Sequence, residues 1–213
     1  MGTYKGPGWY DKPSKWMTRR GGSKAISYKP PWPARMWWAT RFELMTKHVP
    51  DKTPILDIGC GNGLFAAYLW HSGIGGRSEY TGYDFSLGSI QQAKVGNEAY
   101  GHQKAKFFRK DIMDIDIAGE LKKLGPKALL VCAETLEHVE DDLAVVAKIP
   151  AGTEFLFTVP MFDADAHVRW FPTPKSIEDR WGEHFEDGYV IERMAAKYRP
   201  APRQCHLIRG RWK

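Results

Sequence analysis

Three groups of residues in this 213-residue chain have types and spacings suited to chemistry. The first is the stretch ILDIGCGNG, in which Asp57 precedes Gly59, Cys60, Gly61 and Gly63. Glycines at alternate positions make a tight turn whose missing side chains let a ligand lie against the backbone. The second group is two later acids, Asp84 and Asp111, each closing an apolar segment. Carboxylates so placed accept hydrogen bonds from hydroxyl or amino groups. The third is CAETLEHVEDD, residues 132–142, with Glu134, Glu137 and His138, joined from downstream by His167 in ADAHVRWF. An imidazole titrating near neutrality takes a proton from a hydroxyl or amine. Two carboxylates with two imidazoles also form a workable octahedral set for a divalent ion.

The elements that must position these groups are legible around them. Pro54 to Ile58 is a short apolar run bounded by turn residues, as in a strand of a covered parallel sheet, and Leu64 to Trp70 reads as the helix that follows. The glycine turn therefore sits at the positive end of a helix, where ligands gather. Gly61, Gly63 and Ala66 satisfy the G-x-G-x-x-G/A spacing of a dinucleotide site, so spacing alone leaves NAD or FAD open. Asp57 decides the matter by charge: it repels a pyrophosphate and attracts a ligand that carries an ammonium and a sulfonium. S-adenosylmethionine (SAM) is such a ligand. Here the sequence resembles motif I of the class I SAM-dependent methyltransferases, and the likeness spans roughly residues 50 to 160. It implies an α/β fold with a Rossmann-like seven-stranded sheet of order 3-2-1-4-5-7-6, strand 7 antiparallel, and helices on both faces.

Glu79 to Tyr83 reads as the second strand, and Asp84 falls where a Rossmann-like sheet delivers a carboxylate to a ribose diol. Asp84 or Ser86 also suits the cap of a helix over Leu87 to Tyr100. Lys106 to Arg109 reads as strand three, Ile117 to Leu124 as a helix capped by Asp114 or Asp116, and Ala128 to Cys132 as a central strand. The family resemblance places Phe85 near the adenine and Asp111 with Ile112 at its amino group. Ala133 and Glu134, at the end of strand four, join the cofactor site. Thr153 to Val159 is expected as strand five, Pro174 to Trp181 as a helix, and Tyr189 to Ala195 and Gln204 to Trp212 as the last two strands.

The segment after strand four resembles the ubiquinone-biosynthesis type of small-molecule methyltransferase, where E-x-L-E-H-V recurs, and HVRWF resembles the segment after strand five in the same enzymes. Strand order reverses between strands one and four, so Glu134, Glu137 and His138 are expected where the methyl group is presented. Glu137, His138 and His167 are the expected catalytic group, with His138 as general base. In the plainer reading Glu137 and His138 occupy the first turn of a helix running to Lys148, where an acid complements the helix dipole. Read as a metal set, Glu134, Glu137 and His138 share one helical face with His167 arriving later, which resembles the small-RNA 3′-terminal 2′-O-methyltransferases. ADAHVRWF lacks the further histidine spacing of that family.

Residues 1–33 are irregular, basic and aromatic, an N-terminal arm ahead of a domain over residues 34–213. Ala34 to His48 carries a helical apolar stripe at Trp38, Phe42 and Met45, and resembles the helix that covers the cofactor in small class I enzymes. Arg35 and Tyr28 are the expected contacts of the SAM carboxylate. Charge is uneven within the net +6: ten Lys/Arg face two acids over residues 1–49, fifteen face twenty-three over 50–196, and six face none over 197–213. Basic ends admit a nucleic-acid partner, or an arm held on its own acidic domain. The widely spaced Cys60, Cys132 and Cys205 read as small core or turn residues of a reducing, cytoplasmic compartment, without C-x-x-C metal support. No apolar run is long enough for a membrane span. Three functions follow: methyl transfer to an oxygen or nitrogen of a small molecule, methyl transfer to a nucleic acid through the basic termini, or a non-catalytic SAM-binding subunit.

Overall fold

The computed structural model describes residues 37–73, 78–99, 102, 104–194 and 204–213. The expected arm, with Arg35 and Tyr28, lies outside the described residues. The described elements are α1 (Trp37–Thr46), β1 (Ile55–Ile58), α2 (Leu64–His71), β2 (Tyr80–Asp84), α3 (Leu87–Ala99), β3 (Ala105–Arg109), α4 (Ile117–Leu124), β4 (Leu129–Ala133), α5 (Asp142–Val146), β5 (Glu154–Pro160), α6 (Pro174–Trp181), β6 (Val190–Met194) and β7 (Cys205–Arg211). The strands form one sheet of order β3-β2-β1-β4-β5-β7-β6. The first five are parallel, and β7 runs antiparallel to both β5 and β6. The sheet is thus the one that the resemblance implied.

Strand residues alternate between two cores, as a pleated sheet covered on both faces requires. Leu56, Ile58, Leu130, Cys132, Phe155 and Phe157 point to one side, where Trp181, Phe185 and Trp212 fill the space. Ile55, Leu129, Val131 and Leu156 point to the other, against Phe42, Met45, Phe65 and Leu69 from α1 and α2. Asp57 lies between Leu56 and Ile58 and so points to the second side, a buried acid in an apolar strand. Cys60, Cys132 and Cys205 are buried and free. Among the described residues no helix is long and apolar enough to cross a membrane.

One expected element is not formed. The helix expected from Glu137 to Lys148 is a 3₁₀ turn at Leu136–His138, a short irregular link, and then the five-residue α5. The Arg169 guanidinium accounts for the break, because it donates to the carbonyls of Leu136 (2.8 Å), Val139 and Glu140 (2.7 Å). Those acceptors are taken from the helical ladder that would otherwise run through them. Asp141 restarts the helix by accepting from Ala144 N–H at 3.2 Å. Glu134 therefore shares no helical face with Glu137 and His138: its φ of 54° is left-handed.

Candidate active site

A cavity of about 710 Å³ opens at the carboxyl ends of β1, β2 and β4. This is the topological switch point of the sheet, where open α/β folds take their ligands. Gly59 and Cys60 donate backbone N–H groups to Tyr83 O at 2.8 and 2.9 Å, which fastens the glycine turn to the end of β2. Gly61 N–H donates to Asp84 Oδ2 at 2.9 Å, while Asp84 Oδ1 accepts from Ser86 N–H at 2.9 Å. Asp84 thus organises the turn as well as facing the cavity. Ser86 is the residue that caps α3, accepting from Ser89 N–H at 3.0 Å.

The three glycines answer to different neighbours. A Cβ at Gly59 would stand 2.2 Å from the Thr135 hydroxyl, and one at Gly63 would meet Asn97 and Ala93 at 2.8 and 2.9 Å. These two permit contact between elements. Gly61, with φ 54°, faces the cavity, and a Cβ there would have nothing within 4 Å among the described residues.

Asp57 is at the cavity floor, 2% exposed, with Tyr80 donating its hydroxyl to Oδ2. Burial raises its pKa to about 7, the Tyr80 hydrogen bond pulls it down, and the neighbouring Asp84 charge raises it again. The electrostatic reading of the sequence takes this acid as fully charged. In the folded chain it is poised between the two forms at neutral pH.

Cys60, Phe85, Asp111, Ile112, Ala133, Glu134 and His138 also line the cavity. Asp111 caps the 3₁₀ turn Ile112–Asp114 through Met113 N–H at 2.9 Å. Six acids (Asp57, Asp84, Asp111, Glu134, Glu140 and Asp141) stand in the lining against two bases (Arg41 and Lys110), so the cavity favours a cation. Sequence reasoning missed Arg41, which comes from α1 and lies 3.6 Å from Glu134. Its signal is present in the chain, one residue before Phe42 of the apolar stripe, but Arg35 lies closer to the expected arm and draws the assignment.

Glu137, His138 and His167 are brought together, with one ligand atom from each lying within 4.8 Å of the others. Glu137 is fully buried and neither carboxylate oxygen has a hydrogen-bond partner among the described residues. Burial and the Glu134 charge push its pKa well above the usual range. His138 Nδ1 bonds Ala166 O at 2.9 Å, and His167 Nδ1 bonds Phe162 O at 3.1 Å. Burial lowers His138 to about 4 against the pull of the Ala166 carbonyl, and it lowers His167 as well, so both rings are neutral at pH 7. Of the three, His138 reaches the cavity wall, while Glu137 and His167 stand behind it.

Residues 55–150 match the family model described as a methyltransferase domain. Among solved structures, the N-methyltransferase NodS from Bradyrhizobium japonicum WM9, in complex with S-adenosyl-l-homocysteine (SAH), is 19% identical with a TM-score of 0.61, over 92% of this chain and 95% of that one. Magnesium protoporphyrin IX methyltransferase (ChlM) from Synechocystis PCC 6803, with bound SAM, is 13% identical with a TM-score of 0.60, over 96% and 94%. Against EvdMO1 the identity is 16% and the TM-score 0.58, over 88% of this chain but 46% of that one, so the chain spans about half of that protein. No curated protein matches the chain. Residues 55–150 match a methyltransferase domain, and the sheet order and the cavity at its switch point are those of the fold shared with these methyltransferases.

Proposed function

We propose that the enzyme moves the SAM methyl group to an oxygen or nitrogen of a small-molecule acceptor, with His138 as the general base. The observation that carries this reading is a neutral imidazole in the wall of an acidic cavity at the sheet's switch point. Asp84 takes the ribose hydroxyls, Asp111 and Ile112 hold the adenine beside Phe85, and the open face of Gly61 admits the methionine portion. Cys60 and Ala133 supply cavity wall. Arg41, paired with Glu134, joins Arg35 as a cation for the methionine carboxylate. The sulfonium is already a good leaving group, so the protein has two tasks: to align donor and acceptor, and to accept the proton that the acceptor loses. His138 Nδ1 is engaged by Ala166 O, which fixes the tautomer and turns Nε2 into the proton acceptor.

A small acceptor is supported by the charges at the described C-terminus, where two of the three basic residues, Arg209 and Arg211, pair with Glu192 and Glu154 at 3.4 Å within the chain. NodS is by name an N-methyltransferase, and ChlM a methyltransferase of magnesium protoporphyrin IX, which is a small molecule.

Calorimetry with SAM and a panel of hydroxylated and amine-bearing small molecules tests the proposal. SAM binds the wild type, Asp84→Ala weakens that binding by at least about tenfold, and one compound class stimulates SAH release. His138→Gln then lowers kcat by about 10²-fold or more while SAM affinity stays within about threefold. A His138→Gln enzyme with unchanged kcat removes the base.

The assembled Glu137–His138–His167 group favours a second reading in which it holds a divalent ion. The four-residue set does not fit, because Glu134 is turned to Arg41. The three-residue set does: a buried carboxylate without a hydrogen-bond partner among the described residues stands beside two neutral imidazoles whose Nδ1 atoms are held by carbonyls. A bound ion would polarise the acceptor oxygen. Titration with Mn²⁺ or Zn²⁺ distinguishes the readings: micromolar binding abolished by Glu137→Gln supports the ion, and full activity after exhaustive chelation excludes it.

A further inference from the structure

We infer that Arg169, which touches neither the cavity nor the expected reacting atoms, is the positioning residue that sets the cavity wall and the two histidines. The inference rests on the cofactor reading above.

Asp142 is completely buried and gathers three donor residues from two segments. Arg180 reaches it through Nε (3.2 Å) and Nη2, Trp181 through Nε1 (2.9 Å), and Arg169 Nη2 stands 3.3 Å away. Arg169 alone of these spends the rest of its guanidinium on the link after β4, on the carbonyls of Leu136, Val139 and Glu140. The first of these carbonyls precedes His138 and the other two follow it. Val139, Glu140 and Asp141 are cavity wall. Arg169 itself is two residues beyond His167. One planar side chain therefore spans both histidine-bearing segments.

The backbone completes the lacing. Val168 N–H and Arg169 N–H donate to Glu137 O at 2.9 and 3.4 Å, and His138 Nδ1 returns to Ala166 O. None of these three contacts fixes where residues 139–141 go, since all end at residues 137 and 138. The guanidinium supplies that restraint. Its fork meets several acceptors in one plane, which the single ammonium of lysine cannot do. A lysine would keep the charge opposite Asp142 and lose the carbonyls.

Three variants separate positioning from general stability. Arg180→Ala also strips a donor from Asp142 but touches no cavity segment. Thermal unfolding and SAM calorimetry are measured on the wild type, Arg169→Lys, Arg169→Ala and Arg180→Ala. The inference expects all three variants to melt earlier. It expects SAM affinity to fall about tenfold in both Arg169 variants and to stay within about twofold in Arg180→Ala, with added guanidinium restoring Arg169→Ala. Arg169→Lys, which retains the ion pair, carries the comparison if Arg169→Ala does not fold. Wild-type SAM affinity in Arg169→Lys, or an equal loss in Arg180→Ala, overturns the inference. A wild type that fails to bind SAM sinks the cofactor reading instead, so the two failures are distinct.

Discussion

Asp57 has the most to lose and gain at the scale of single residues. Its carboxyl is raised to about 7 by burial, so the ligand-free enzyme holds a proton there that the unfolded chain would release near 4. The stability tied to that proton is fully present below the unfolded pKa and is lost as pH rises through about 7. Asp57→Asn is therefore expected to raise the thermal midpoint of the ligand-free protein at pH 8, by an amount worth roughly 2–4 kcal/mol, and to change it little at pH 4. A cationic ligand acts in the opposite sense, since it favours the ionised carboxylate. SAM affinity should then climb as pH rises through about 7, with proton release visible as a dependence of the binding heat on buffer. Affinity that is flat between about pH 5.5 and 8.5 would show that Asp57 does not sense the ligand. The acid was legible in the sequence as a charge beside the turn; its protonation was not, because that follows from a burial set by strands far along the chain, against the pull of the Tyr80 hydroxyl.

At the scale of elements, the glycine turn illustrates how much a pattern conveys. ILDIGCGNG announces strand, turn and helix, and β1 and α2 stand where it puts them. It does not say which glycine serves the ligand and which serves a neighbour. Gly59→Ala would place a methyl on Thr135 at φ 84°, with a cost of about 2–4 kcal/mol seen as an earlier melt. Gly61→Ala meets no described atom, so it should cost about 1 kcal/mol of stability. Its methyl would lie in the cavity and weaken SAM by about tenfold or more. If the two variants lose stability equally and bind SAM equally, the division of labour between these glycines is refuted. The break after His138 was illegible for the same reason: LEHVEDDLAVVAK carries a helical pattern, and the guanidinium that interrupts it arrives from 29 to 33 residues downstream.

The whole molecule was legible through its strands, whose apolar runs appear in the sequence within a residue or so of their observed bounds, and through the resemblance that ordered them. What hydropathy could not reveal is how heavily the far side of the sheet leans on aromatic side chains from α6, the segments flanking it and the residue just beyond β7. Phe155 stacks on Phe185 at 5.2 Å and meets Trp212 edge-on at 5.3 Å, and Phe171 lies on Trp181 at 4.7 Å. Trp212 is 2% exposed although the chain's hydropathy around it is polar. Trp212→Ala should cost about 3–5 kcal/mol, a large part of the stability of an ordinary domain, and be measurable as a drop in the urea midpoint with unchanged slope. A loss below about 1 kcal/mol would mean that this corner repacks.

Strand β7 is inserted between β5 and β6, pairing with Glu154–Pro160 on one side and Val190–Met194 on the other. During synthesis, then, β5 waits with a bare edge while some fifty further residues are made, and β6 has no neighbour at all until β7 follows it. The nascent enzyme is committed to a late assembly step: its cofactor cavity can be outlined by the parallel strands early, but the sheet that backs it is sealed only when residue 211 has cleared the ribosomal tunnel.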